Sequence, residues 1–132
     1  MLSAIELETR LGDFWGTEEK FRFSPVFPKV LLTDGAKYVA DNADAYWLMD
    51  VIASHIPAMK GDWFASAKLT VNSHFVTGPI AEDHKATFTL DDGNGHILAT
   101  QEIEYTDFPL STINFFVEYD EENWTILLPG EH

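Results

Sequence analysis

The side chains able to do chemistry in this chain are carboxylates and histidines. It holds 22 Asp and Glu, five His and no Cys. Without cysteine there is no thiol nucleophile, disulfide or thiolate metal ligand. A metal centre would draw on His74 and His84 with Glu82 or Asp83, which share one short stretch. No His-Glu-x-x-His pattern or other paired spacing supports it, so solvated loop histidines and no metal are expected. Asp91-Asp92-Gly93-Asn94-Gly95 has a superficial likeness to a calcium loop. It lacks the full ligand order and the terminal bidentate Glu, whereas Asp, Gly and Asn are what a tight hairpin turn requires. Ser54 and His55 are adjacent on a helical pattern, so their side chains diverge by about 100° and form no nucleophile–base pair. There is no Gly-x-Ser-x-Gly elbow and no glycine-rich phosphate loop. Glu102 and Glu104 share a strand face, but among so many acids such a pair arises by chance. No catalytic residue and no cofactor is expected, and a non-enzyme is favoured over an enzyme.

Charge is the more informative property. The formal net charge is −14 and is unevenly spread. Residues 1–85 carry 12 acids and all 8 Lys and Arg, whereas residues 86–132 carry 10 acids and neither Lys nor Arg. Such a field repels phosphate backbones and anionic membranes, which argues against direct nucleic-acid or membrane binding. It attracts a basic protein and speeds the encounter. The candidate partner-binding surface is Asp91, Asp92, Glu102, Glu104, Glu118, Asp120, Glu121 and Glu122. The plainer alternative is that these acids keep an aromatic-rich domain in solution. A reading from a different class is a small-ligand or enzymatic pocket between the 45–56 helix and the sheet. Trp15, Tyr46, Trp47, Trp63 and Phe88 would line it, with Asp50 or His55 as polar handle.

The elements that must position these groups follow from periodicity. Ser3-Ala4-Ile5-Glu6 has the form of a capping box, and Leu2, Ile5, Leu7, Leu11 and Phe14 recur at helical spacing as an amphipathic helix ending near Gly12 or Gly16. Phe21-Arg22-Phe23 reads as a short extended piece before Pro25 and Pro28. Thr33-Asp34 opens a second helical region, broken near Asp41-Asn42-Ala43-Asp44. From Ala45, the residues Trp47, Leu48, Val51, Ile52 and His55 mark one helical face, ended by Pro57. The period then falls to two. Strands are expected at 63–71, 86–90, 97–105, 113–119 and 124–128, with a loop at Gly78-Pro79. The expected fold is α+β: two or three N-terminal helices packed on one face of an antiparallel sheet of about five strands, in one domain spanning 1–132. The final hairpin, 113–128, is apolar on both faces at Phe116 and Leu127 and reads as an edge, so a homodimer through it is an expectation. No apolar run reaches the length of a membrane span and the start has no basic flank, so a cytoplasmic location is expected.

Two stretches carry a family resemblance. They are Gly12-Asp13-Phe14-Trp15-Gly16-Thr17-Glu18, and Leu32-Thr33-Asp34-Gly35-Ala36-Lys37-Tyr38-Val39-Ala40 continuing through Asp44-Ala45-Tyr46-Trp47-Leu48-Met49-Asp50-Val51-Ile52-Ala53-Ser54. Together they resemble a bacterial family of plasmid-related proteins of unknown function, found on plasmids, phages and integrated elements. The Trp63–Val71 strand and the Leu90-Asp91-Asp92-Gly93 turn fit that layout. The resemblance implies a mobile-element accessory setting and supplies no catalytic residue.

Overall fold

The computed structural model describes residues 3–13, 19–71 and 85–132. Trp15 and Gly16, the loop at Gly78-Pro79, and the residues His74, Glu82, Asp83 and His84 lie outside them. Helix α1 (Ala4–Leu11) is N-capped by Ser3, whose Oγ accepts the Glu6 N–H at 3.2 Å. The Glu6 carboxylate returns to the Ser3 hydroxyl at 3.0 Å, completing the Ser-x-x-Glu pairing through the side chain. Gly12 ends the helix. Helix α2 (Asp34–Asn42) is capped by Thr33, which accepts from the Ala36 N–H. Asp44, at φ +49°, turns the chain into α3 (Tyr46–His55). Proline then tightens the backbone into a 3-10 turn at Ile56–Met59. The fully buried face of α3 is Leu48, Met49, Ile52 and Ala53, while Trp47, Val51 and His55 are only half-buried. The expected stripe is therefore rotated by about one position, because an almost wholly apolar helix lets packing choose its inward side.

The sheet has seven strands: β1 (Lys20–Arg22), β2 (Val30–Thr33), β3 (Phe64–Val71), β4 (Ala86–Asp91), β5 (Ile97–Ile103), β6 (Thr112–Tyr119) and β7 (Trp124–Leu127). Their order is β1-β2-β7-β6-β3-β4-β5. Two expectations are corrected here. The sheet has seven strands rather than about five, and it is mixed, because β2 runs parallel to β7. Val30-Leu31-Leu32 shows no alternation because Leu31, on the face opposite Val30 and Leu32, is itself half-buried and apolar, so period two is absent from the run. Nor does strand order follow the chain, since β6 returns to pair with β3 and leaves β5 at an edge. Consequently β7 is an interior strand held by β6 and β2, not the free edge expected of the 113–128 hairpin.

One sheet face is buried. Ala65, Ala67, Leu69 and Val71 of β3, Ala86, Phe88 and Leu90 of β4, and Ile113, Phe115 and Val117 of β6 join the helices in a continuous core. The other face is mostly polar, with Thr87 and Thr89, Lys68 and Thr70, and Thr112 and Asn114 on adjacent strands. Its apolar part, Phe64, Phe116 and Leu127, is covered by the returning chain. His132 packs edge-on against Phe64 and Phe116, at 5.9 and 5.5 Å between ring centroids. Its Nε2 lies 2.7 Å from Glu118 Oε1. Among the described residues no helix is long and apolar enough to cross a membrane.

Candidate acidic interaction surface

Register fixes where the acids go. Asp91 pairs with Ser66 and Glu118 with Phe64, so the β4–β5 and β6–β7 turns emerge beside the start of β3 at one end of the sheet. In the first turn, Asp91 Oδ1 accepts the Gly93 N–H at 2.7 Å. Asp92 Oδ1 accepts the N–H groups of Asn94 and His96, and its Oδ2 lies 2.8 Å from His96 Nδ1. The Asn94 backbone donor, then the His96 side chain, hold the Asp92 carboxyl below the ordinary aspartate range. Gly93 and Gly95 sit at φ +86° and +90°, and a Cβ at Gly93 would come within 3.0 Å of the Phe64 ring. In the second turn, Asp120 Oδ1 accepts from Asn123 N–H at 2.7 Å and Glu122 N–H at 3.0 Å, and these donors lower its pKa. Glu121 takes the left-handed conformation at φ +78°.

Six of the eight candidate acids, Asp91, Asp92, Glu118, Asp120, Glu121 and Glu122, thus gather at this turn end. Glu102, which faces Thr87, and Glu104 lie at the opposite end, where β5 finishes. The gathered six do not act alike. Asp91, Asp92 and Asp120 are engaged by backbone donors, and Glu118 meets His132. Cations from the first half of the chain also approach. Lys20 contributes to lowering Asp120. Arg22 and Lys29 share with Glu121, Glu122, Asn123 and Pro28 a surface cavity of about 450 Å³. No motif in the sequence points to these cations. The strand pairing that brings residues 20–29 beside 118–124 spans about a hundred positions and leaves no local signal.

Of the described residues of the alternative pocket, His55 and Phe88 stand together. His55 Nε2 is 2.7 Å from Gln101 Oε1, and its ring stacks on the fully buried Phe88 at 5.5 Å. Ser54 donates instead to the Val51 carbonyl of its own helix at 2.7 Å. Tyr46 is exposed between helices, where its hydroxyl donates to Asp41 Oδ1 while Lys37 Nζ meets Asp41 Oδ2 at 2.8 Å. Desolvation, then the Asp41 carboxylate, pushes the Tyr46 phenol up to about 12, and the Lys37 and Tyr46 donors lower Asp41. Asp50 is exposed and Trp47 half-buried on α3. Trp63 is 57% exposed at the turn end, edge-on to Tyr119. Among the described residues, no group of three or more His, Asp or Glu is placed to hold a metal ion.

A family model matches residues 5–132, and the family it represents is one of unknown function. No curated protein and no solved structure matches the chain.

Proposed function

The chain belongs to DUF6876, a family of unknown function, and we propose that it is a non-catalytic interaction module that engages a basic protein through the turn end of its sheet. The observation that supports this reading is the convergence of Asp91, Asp92, Glu118, Asp120, Glu121 and Glu122 on one end of a rigid sheet, in a chain of net charge −14. Because backbone donors in two hairpin turns hold the Asp91, Asp92 and Asp120 carboxylates, these meet a partner without first being ordered. The resemblance to plasmid-related proteins supports a mobile-element setting. There the partner is a basic nucleic-acid-binding protein of the host, and the carboxylates occupy positions that phosphates otherwise fill. Arg22 and Lys29 at the rim restrict the partner to one that tolerates positive charge beside the acids, which favours a shaped contact over a polybasic tail.

The test compares two charge reversals of equal size. Glu121→Lys with Glu122→Lys changes the turn end without removing Asp120, which holds the turn. Glu102→Lys with Glu104→Lys changes the opposite end. Against a panel of basic nucleic-acid-binding proteins, the first pair weakens binding by about tenfold and the second leaves it near wild type, with affinity falling as salt is added. Equal effects from the two pairs, or none from either, would dispose of the proposal.

A further inference from the structure

On the helix-bearing face of the sheet, the outermost rung at the turn end is aromatic on three successive strands. Trp63 immediately precedes β3, Tyr119 closes β6 and Trp124 opens β7. The Tyr119 N–H donates to the Trp63 carbonyl at 3.0 Å, and Tyr119 pairs in register with Trp124. Their side chains therefore stand in line at the spacing of neighbouring strands. The Trp63 ring meets Tyr119 edge-on at 6.0 Å, and Tyr119 stacks on Trp124 at 4.6 Å with 30° between planes. The Tyr119 hydroxyl is fixed by donating to the Glu121 carbonyl at 3.0 Å. Tyr119 and Trp124 are half-buried, whereas Trp63 keeps 57% of its surface in solvent. The row is thus rigid on one side and unfinished on the other.

Carboxylates neighbour this row in the chain, both toward the turn end, because β3 and β6 run antiparallel. Asp62 precedes Trp63 and Asp120 follows Tyr119, and both are exposed. Aromatic faces attract cations through their quadrupole, and adjacent carboxylates add direct charge complementarity. We infer that the Trp63–Tyr119–Trp124 row, with Asp62 and Asp120 beside it, receives an arginine side chain of the basic partner. The inference rests on the interaction reading above and names the contact that anchors it. Arginine suits the row better than lysine. Its guanidinium is planar, sheds water more readily, stacks on rings and still offers N–H groups in its own plane to a carboxylate.

The test uses a short peptide with one central arginine, together with its lysine and citrulline counterparts, followed through the tryptophan indole N–H signals. The arginine peptide shifts the Trp63 and Trp124 signals, the lysine peptide binds more weakly and the neutral citrulline peptide does not bind. Trp63→Ala weakens arginine binding by about fivefold, and Trp63→Phe restores most of it. Because the side chain is mostly exposed, the unfolding midpoint of these variants stays near that of the wild type. No shift with the arginine peptide, equal binding of lysine or citrulline, or indifference to Trp63→Ala each overturns the inference. Binding that survives Trp63→Ala but falls on Glu121→Lys with Glu122→Lys removes the aromatic anchor and leaves the acidic surface standing. If the double reversal also changes nothing for any basic protein, the interaction reading fails as well.

Discussion

Gly35 and Glu131 meet at the start of α2, where a carboxylate fills the place an anionic ligand would otherwise take. Glu131 is only 7% exposed and accepts from Thr33 Oγ1 at 2.6 Å and from the backbone N–H groups of Leu128 and Gly35 at 3.0 Å each. These donors, with the partial positive charge of the helix start, offset the cost of burying the charge. The contact is close enough to dictate the residue opposite. A Cβ at Gly35 would stand 2.5 Å from Glu131 Oε1 and 2.6 Å from Leu128 Cδ1. Gly35→Ala is therefore expected to destabilise by about 1–3 kcal/mol through overpacking, despite the better helix propensity of alanine. Glu131→Ala is expected to cost a similar amount, about 1–3 kcal/mol, by leaving buried donors unsatisfied. Urea unfolding of both variants checks these values. The sequence already marked Thr33 as a cap, because the cap bond is local. It could not mark Gly35 as obligatory, since the group that excludes a side chain arrives 96 residues later.

At the level of elements, the two acidic turns carry a pH dependence of defined sign. The folded pKa values of Asp92 and Asp120 are depressed, so the unfolded chain binds protons at a higher pH than the folded one. Their contribution is complete above the ordinary aspartate value of about 3.9 and is lost as pH falls through the lower folded values. Exchange protection of the Asn94 and Asn123 amides, which donate to these carboxylates, is expected to decline over that acid range and stay constant above it. Amide exchange, corrected for its intrinsic pH dependence, reads this directly. The first turn was legible because Asp-Asp-Gly-Asn-Gly states its own geometry, as were the alternating strands β3, β4 and β6. Strand β2 was not, because its run Val30-Leu31-Leu32 is apolar throughout although Leu31 is only half-buried. The aromatic rung was also hidden: Trp63, Tyr119 and Trp124 are far apart in sequence, and only the β3–β6–β7 pairing sets them in line.

Across the whole molecule, 22 acids face 8 Lys and Arg. The ion pair Lys37–Asp41 is an exposed i,i+4 contact of small worth. Repulsion therefore outweighs pairing, and screening it favours the folded state. The melting temperature is expected to rise by about 2–5 °C between low and physiological salt, and differential scanning calorimetry tests it. A fall with salt would mean that attractive pairs dominate. The parallel pairing of β2 with β7 and the seat of Glu131 on α2 have a consequence for biosynthesis. Strand β2 and the start of α2 leave the ribosome well before residues 124–131, which hold the groups that complete them. Until those residues leave the exit tunnel, one flank of β2 has no partner and the nascent chain presents an apolar segment that chaperones would recognise.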